Sequence, residues 1–361
     1  MLATIVDDAL AAIGSEVSGS VAPPVRAVVA GVGVPGASIG WTHSQQLKDD
    51  PAASLVGVVE PFFLGGGCSS PDAAAFQDFV ATLGGVPTVA SFGNLQLSPP
   101  TLAIVSGRTS DNPGLALAAV EAGATHVLLE KPGAPAVGDL VALKAALNGL
   151  PVVLGFHKHL SPWVRRLMGA KADAAPGAHA MLVSTNTYTV GELAECFERN
   201  NEGLLRNMVI HELALLVDKF GITAEQLTHV VIDPDHAPFA THLSTAGQYT
   251  DFVQLAVQLH GGDIPVTLCA ARCGPASATT GTIIAEDGRT VFTASDADDV
   301  VALGEEVRAA VPDGVRSYLL AQWTDFATLK SVVIDHIAAG EEGVPEGVAT
   351  LDTAIEALKL A

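Results

Sequence analysis

The sequence predicts an α/β protein with two domains, the first built on a doubly wound parallel sheet and the second an α+β unit with an open, largely antiparallel sheet. Three observations predict this architecture. They are a glycine-rich turn between a strand and a helix, strand–helix alternation over residues 25–156, and a Val- and Thr-rich alternating pattern after residue 157. We therefore divide the chain into an extension (residues 1–24), a first domain (25–156) and a second domain (157–361), whose C-terminal helices are expected to pack back on the first.

The first domain alternates short apolar runs with helix-compatible segments. Such alternation favours a parallel sheet joined by right-handed crossovers. The predicted strands cover residues 27–30, 55–59, 88–90, 102–105, 126–129 and 152–155, and the predicted helices cover residues 37–48, 71–82, 113–122 and 137–147.

The second domain has strands with alternating polarity, as expected for a sheet with one wet face. A hairpin turn is predicted at residues 286–289. The predicted strands cover residues 181–189, 252–259, 264–271, 281–285 and 290–294, and the helices cover residues 207–220, 318–339 and 348–360.

The glycine turn fits the pattern G-x-G-x-x-G. Residues 25–30 form a β-branched run, and a helix-compatible segment follows the turn, which is the context this motif requires. In a dinucleotide-binding fold the glycines allow a tight turn, close approach of a pyrophosphate, and packing of helix on strand, and free N–H groups hold the phosphates. The predicted cofactor-binding residues of the turn are Gly31, Gly33, Val34, Pro35 and Gly36.

Glu60 ends the second predicted strand, 24 residues after Gly36. A carboxylate at about this distance binds the 2′-hydroxyl of an adenosine ribose and repels a 2′-phosphate. No Lys or Arg lies between Glu60 and Arg108. The sequence therefore favours NAD over NADP as the cofactor. The alternative to a cofactor site is a doubly wound domain whose glycine turn arises by chance.

Composition excludes several function classes. The net charge is −21, which argues against nucleic acid and anionic membrane surfaces as partners. No apolar run approaches a membrane span, and the N-terminal residues lack the basic start of a secretory signal. The four cysteines form no metal-ligand set, so we expect free thiols, no metal and a cytoplasmic location.

The tripeptide Glu130-Lys131-Pro132 follows a buried predicted strand. Ligands of doubly wound sheets bind beyond the carboxyl ends of the strands, so Lys131 is placed near a bound cofactor. A lysine in a partly dry pocket has a lowered pKa and can exchange a proton with a reacting oxygen. The alternative is a solvated lysine paired with Glu130.

Two further groups of polar residues carry potential chemistry. Asn207 and His211 are four residues apart, so they share one face of a helix, with Arg206 beside them. The triplet His157-Lys158-His159 follows the last strand of the first domain and is expected to bind a polar or anionic substrate. The alternatives are a core histidine at position 211 and a basic surface patch at the triplet.

Taken together, these motifs resemble the glucose–fructose oxidoreductase/inositol dehydrogenase (Gfo/Idh/MocA) family over residues 25–361. The resemblance implies a Rossmann domain followed by an α/β domain whose sheet often forms an oligomer interface. It also implies that Lys131 assists proton transfer and that His211 faces the substrate. The chain has Asn207 where the family usually has Asp, and residues 107–113 depart from the family pattern, which leaves the role of Arg108 near cofactor or substrate open.

These observations predict an NAD-dependent oxidoreductase that transfers a hydride to or from a carbinol or carbonyl carbon of a small polar substrate. A sugar, a polyol or a derivative is the first expectation, and a hydroxy or keto acid stays open. Arg108, Glu130 and Lys131 complete the predicted cofactor site. The alternatives are a non-catalytic NAD-binding sensor and an NAD-assisted glycosidase. A homodimer or homotetramer is expected, because the open sheet needs a cover.

Overall fold

The computed structural model describes residues 23–65, 71–199, 202–233, 239–244, 247–302, 305, 308–309 and 311–361. Of the extension predicted over residues 1–24, only residues 23 and 24 lie within this part of the chain. The architecture consists of one parallel sheet, one largely antiparallel sheet and a separate two-stranded hairpin.

The first sheet has six parallel strands in the order β3-β2-β1-β4-β5-β6. This is the Rossmann-type order, in which successive strands are added on one side of β1 up to β3 and on the other side from β4 onwards. The predicted parallel sheet is thereby confirmed. Its strands are β1 (Val25–Ala30), β2 (Ala53–Val59), β3 (Thr88–Val89), β4 (Thr101–Val105), β5 (His126–Leu129) and β6 (Val152–Leu154).

Both faces of this sheet are covered, which is why its central strands are continuously apolar. All five residues of β4 are buried. Alternate residues enter two separate cores, with Ala103 and Val105 on one face and Leu102 and Ile104 on the other. The covering helices of this half are α1 (Ile39–Lys48), α2 (Pro61–Leu64), α3 (Pro71–Ala81), α4 (Asn112–Glu121) and α5 (Val137–Leu147).

The second sheet also has six strands, in the order β14-β13-β7-β12-β11-β8. Its neighbours are antiparallel except for β7 and β12, which run parallel. The open, largely antiparallel sheet is confirmed. The strands are β7 (His179–Thr187), β8 (His229–Ile232), β11 (Gln254–His260), β12 (Val266–Ala271), β13 (Cys273–Ile284) and β14 (Thr290–Ser295), and the separate hairpin consists of β9 (Phe239–Ser244) and β10 (Gly247–Phe252).

The remaining helices pack on this sheet or return to the first one. A 3₁₀ turn (His157–Leu160) leaves the first sheet, and a π-helical turn (Leu204–Met208) precedes the helix predicted over residues 207–220. The helices are α6 (Pro162–Ala172), α7 (Leu193–Arg199), α8 (Ile210–Phe220), α9 (Asp296–Ala302), α10 (Ser317–Ala338) and α11 (Leu351–Leu360).

The last two helices lie against the first sheet. Side chains of α10, among them Trp323, Val333 and Ile337, belong to the core on one face of that sheet, while Ile355 of α11 belongs to the core on the other. The backbone N–H of Leu154 in β6 also donates to the Ala349 carbonyl just before α11, at 2.9 Å. No described helix combines the length and apolarity needed to span a lipid bilayer.

Candidate active site

The glycine turn lies at the carboxyl end of β1, beside the point where the strand order reverses. Gly31, Gly33 and Gly36 have φ values of 79°, 69° and 73°, a region that favours glycine. A Cβ at Gly31 would lie 2.5 Å from the Gly107 nitrogen, and one at Gly33 would lie 2.5 Å from Ser38 Oγ. The turn therefore has the close packing and bare backbone that a dinucleotide pyrophosphate requires.

Glu60 lies directly beside this turn, although 27 positions separate it from Gly33 in the sequence. Its Oε2 accepts the N–H of Gly33 at 2.8 Å, and its Oε1 accepts the N–H groups of Phe62 at 3.0 Å and Phe63 at 3.4 Å. These bonds cap the short helix α2 and fix the carboxylate in a buried position. A carboxylate accepts about four hydrogen bonds, so a site on Oε2 is left for a hydroxyl.

Arg108 is exposed and follows β4, but the fold brings it to the same edge of the sheet as Glu60. Its guanidinium carbon lies 5.7 Å from the centre of the Phe62 ring, in the range of a cation–π contact. NAD is expected partly because no Lys or Arg lies between Glu60 and Arg108 in the sequence. In the structure the Arg108 guanidinium lies over the ring of Phe62, which is two residues after Glu60 in the sequence.

Lys131 extends from the carboxyl end of β5 and is half-buried. Among the described residues, its ammonium donates a hydrogen bond to the Asn207 carbonyl at 3.4 Å. Burial lowers the pKa of Lys131, and the nearby Glu130, Glu202 and Glu212 carboxylates only partly oppose this. Such a lysine exchanges its proton more readily than a solvated one.

Two histidine rings meet beside Lys131. The rings of His157 and His211 are edge to face with centroids 4.6 Å apart, and His157 also packs on Phe326 at 4.4 Å. Within the described residues, both ring nitrogens of His157 and Nδ1 of His211 are buried without a hydrogen-bond partner. Burial, followed by the neighbouring cations and rings, lowers the pKa of both histidines well below the usual value. Two neutral imidazoles with free donors and acceptors thus face each other.

The triplet His157-Lys158-His159 does not act as one patch. Successive residues of a 3₁₀ turn point about 120° apart. Lys158 Nζ donates to Glu212 Oε1 at 2.6 Å and to Thr279 Oγ1 at 2.6 Å. His159 pairs instead with Asp218 at 2.9 Å. Of the three residues, His157 is the one that meets His211, and substrate binding by Lys158 and His159 stays a prediction.

The π-helical turn before α8 presents the other predicted residues. The Asn207 side-chain amide lies 3.5 Å from the Glu202 carboxylate, and its backbone carbonyl contacts Lys131. Arg206 is exposed on the same turn. The structure thus brings together Lys131, Asn207, His157 and His211, and π-helical turns of this kind are frequent at functional sites.

Several polar residues around the site were missed by the sequence reasoning. Glu212 is fully buried behind Lys158, and Asp296 lies close enough for its charge to affect that lysine. Glu130 pairs with His43 at 2.9 Å, and His43 is bonded in turn to Lys330 at 3.1 Å. Glu212 lies in a mostly apolar helix, and this was the one signal in the sequence. His43 and Asp296 stand among other polar residues of their helices, so the sequence did not mark them.

Comparison with known proteins finds solved structures of similar fold. No protein-family model matches the chain, and no curated protein matches it. Among solved structures, a myo-inositol dehydrogenase from Corynebacterium glutamicum is similar over 94% of this chain and 94% of its own, with a TM-score of 0.66 and 18% identity.

Two other similar structures extend the comparison. A myo-inositol 2-dehydrogenase from Lactobacillus plantarum covers 94% of this chain and 95% of its own, with a TM-score of 0.64 and 15% identity. A Thermus thermophilus dehydrogenase, solved with NAD and α-ketoglutarate, covers 92% of each chain with a TM-score of 0.58 and 15% identity. The fold implied by the family resemblance is confirmed over 92–94% of the chain.

Proposed function

We propose that this protein is an NAD-dependent oxidoreductase of the Gfo/Idh/MocA type, acting on a CH–OH group or the matching carbonyl of a small polar substrate. A sugar, a polyol or a derivative is the preferred class, with hydroxy and keto acids as the next. The observation that carries the proposal is that Lys131 lies close enough for its charge to affect His157 and His211, at the carboxyl edge of a sheet with a dinucleotide-type glycine turn. The two rings are buried against each other, and three of their nitrogens have no hydrogen-bond partner among the described residues.

The bound nicotinamide would supply hydride transfer, and the protein would handle the proton. In alcohol oxidation, Lys131 in its neutral form takes the hydroxyl proton as the hydride leaves carbon, and it returns the proton in the reverse direction. Its lowered pKa makes the neutral form accessible. The imidazoles of His157 and His211 hydrogen-bond substrate hydroxyls, which satisfies their buried nitrogens.

Domain roles follow from this assignment. Residues 25–156 bind the cofactor, and residues 157–361 supply the substrate contacts and the oligomer interface through the open sheet. The edge strand β8 exposes Val230, Val231 and Ile232. A dimer or tetramer covering the sheet is the expected assembly. A monomer in light scattering at micromolar concentration would contradict it.

The central experiment measures NADH formation with a panel of polyols, sugars and hydroxy acids. Lys131→Met is expected to lower kcat by about 10²–10⁴ and to leave NADH binding nearly unchanged, because a general acid–base group contributes about this much. The control is Lys144→Met, since Lys144 is an exposed lysine on α5. An unchanged kcat in Lys131→Met would refute the role of Lys131.

Cofactor choice is tested separately by binding. NADH is expected to bind at least about tenfold more tightly than NADPH, a difference of about 1.4 kcal/mol, and Glu60→Ser is expected to narrow the gap. Arg108→Met is the informative companion, because Arg108 stands near Phe62. If Glu60 decides the choice, Arg108→Met leaves NADPH weak. Equal affinities in the unmodified protein would contradict the assignment.

One observation favours a second function, a non-catalytic sensor of the bound dinucleotide. Asn207 occupies the position where the family usually has Asp, and an amide is no general base. Asn207→Asp separates the two functions. If the residue lines a working site, the added carboxylate changes the pH–rate profile. If the protein is a sensor, no member of the substrate panel yields NADH with either form.

A further inference from the structure

A buried chain of hydrogen bonds runs behind the proposed active site. Glu130 precedes Lys131 at the end of β5, His43 lies within α1, and Lys330 lies within α10. Their exposures are 4%, 0% and 2%, so all three side chains are buried. His43 Nε2 lies 2.9 Å from Glu130 Oε1, and Lys330 Nζ lies 3.1 Å from His43 Nδ1.

The direction of each bond in this chain is fixed by chemistry. An amine or ammonium carries donors, so Lys330 donates to His43 Nδ1. A neutral imidazole has one N–H, which must then be on Nε2, and it donates to the Glu130 carboxylate. Burial, with Lys330 as a further cause, lowers the pKa of His43 to about 4, which keeps the ring neutral at ordinary pH.

Lys330 is itself held from several sides. Besides His43, its Nζ donates to Gln46 Oε1 on α1 and to the Phe326 carbonyl on α10, the latter at 2.9 Å. At the other end of the hydrogen-bond chain, the Glu130 carboxylate is held by close packing against Gly155. A Cβ at Gly155 would lie 2.6 Å from Glu130 Oε1, so the carboxylate fits against bare backbone at the end of β6.

Glu130 therefore faces α1, whereas its neighbour Lys131 reaches the other way, to the Asn207 carbonyl. The two are adjacent in sequence and of opposite charge, and a carboxylate within about 4–6 Å of an amine raises its pKa by about 1–3 units. A Glu130 side chain that turned to Lys131 would hold the ammonium in its charged form and oppose its exchange of protons.

We propose that His43 and Lys330 are positioning residues for Lys131, and that their hydrogen-bond chain holds the Glu130 carboxylate against helix α1 and so prevents it from pairing directly with the Lys131 ammonium. The inference rests on the proposed function of Lys131. It adds a link between α10, the dinucleotide-side helix α1 and the residue that moves the proton.

Other charged groups around Lys131 must be held constant in any test. Its surroundings contain Asn207 from the π-helical turn and Glu202 just before that turn, and further titratable groups come from the 3₁₀ turn and α8. These further groups are His157, Lys158, His159, His211 and Glu212. None of them contacts His43 or Lys330 through a hydrogen bond in the described part of the chain, but the Phe326 ring packs against both His43 and His157. The variants at His43 must therefore keep the contact with Phe326, as Leu does in size.

The test measures the protonation of Lys131 directly, with neither cofactor nor substrate. Lysines are acetylated with acetic anhydride over a range of pH, and mass spectrometry gives the midpoint for each. His43→Leu removes the donor to Glu130, and the Lys131 midpoint is expected to rise by about one pH unit. His43→Gln keeps an amide donor and is expected to restore the original midpoint. Exposed Lys144 in the same digest is the internal reference.

A double-variant cycle shows whether the effect passes through Glu130. Glu130→Gln is expected to lower the Lys131 midpoint, and adding His43→Leu to it is expected to cause no further shift. Lys330→Met is expected to move the midpoint in the same direction as His43→Leu, by a smaller amount. Thermal melting shows that each variant is folded.

The proposal is overturned if folded His43→Leu or Lys330→Met leaves the midpoint unchanged or lowers it, or if His43→Leu shifts it equally in the Glu130→Gln background. Those results would make the chain a structural element only. Failure of the proposed function is a separate result, since it appears as an unchanged kcat in Lys131→Met and leaves the labelling midpoints as they are.

Discussion

Two buried lysines in this protein are bound in different ways. Lys158 touches its carboxylate directly, at 2.6 Å from Glu212. In the described part of the chain, Lys330 is joined to Glu130 by hydrogen bonds that pass through the His43 ring. Burial by itself acts to lower the pKa of each lysine. For Lys158 the charge of Glu212, with Asp296 and Asp325, more than reverses the effect and raises the pKa. For Lys330 burial prevails, and its pKa falls to about 7.

The difference shows that distance to the carboxylate, rather than burial, decides whether a buried lysine keeps its proton. Coulomb energy falls with separation, while the cost of desolvation is incurred at either site. The Lys158 site is therefore a fixed ion pair that joins the 3₁₀ turn to α8 and β13. The Lys330 site is one whose charge changes near neutral pH.

The largest effect is expected from breaking the direct pair. Lys158→Met leaves the fully buried Glu212 without its cation, and removal of one partner of a buried pair costs about 3–5 kcal/mol. Urea unfolding at neutral pH measures the loss. The matched control adds Glu212→Gln, which removes the stranded charge and is expected to recover part of the stability. A loss below about 1 kcal/mol would show that the pair adds little.

A smaller effect, visible in its pH dependence, is expected at Lys330. Its native pKa of about 7 lies below the ordinary 10.5, so between these values the unfolded chain binds a proton that the native protein lacks. The free energy of unfolding must then rise with pH, by at most about 1.4 kcal/mol per unit.

Unfolding curves for the parent protein and Lys330→Met, recorded from about pH 7 to about pH 9, check this. The stability difference, parent minus variant, is expected to rise with pH. For Lys158 the native pKa is raised above the ordinary 10.5, so its contribution to stability is complete below pH 10.5 and is lost only as the pH rises from there through the native value. The difference between the parent and Lys158→Met is therefore expected to stay flat from about pH 7 to about pH 9. A flat difference for Lys330 as well would remove the contrast between the two sites.

The sequence was sufficient for the parallel sheet and the glycine turn because both depend on local patterns. A β-branched run such as β4 and glycines with positive φ are visible in the chain itself. The hairpin β9–β10 and the helices α6, α7 and α9 were missed, since they are short, lack strong periodicity, or depend on packing against the second sheet.

The site was harder to predict than the fold, because its contacts join distant parts of the chain. Lys330 and His43 are 287 positions apart, and in the sequence Lys330 has the look of an ordinary surface lysine on a helix. The triplet of residues 157–159 was interpreted as one cationic patch, but the 3₁₀ geometry sends each side chain to a different neighbour. Sequence adjacency was a poor guide there.

The smallest effect is expected at an ion pair that is as direct as the Lys158 pair but exposed. Lys144 of α5 lies 2.5 Å from Asp352 of α11, with side-chain exposures of 50% and 69%. Solvent screens this attraction, and ordering two long side chains opposes it, so exposed pairs contribute about 0–1 kcal/mol. Lys144→Met is expected to change the free energy of unfolding by less than about 0.5 kcal/mol in urea titrations. Raising the salt concentration is expected to shrink even this small change in the free energy of unfolding, since salt screens exposed charges.

A loss comparable to that of Lys158→Met would mean that contact distance alone sets the strength of an ion pair here, and that burial of the pair is irrelevant. The expected small value separates these two factors, because the Lys144 pair shares its short distance with Lys158 and differs from it in exposure.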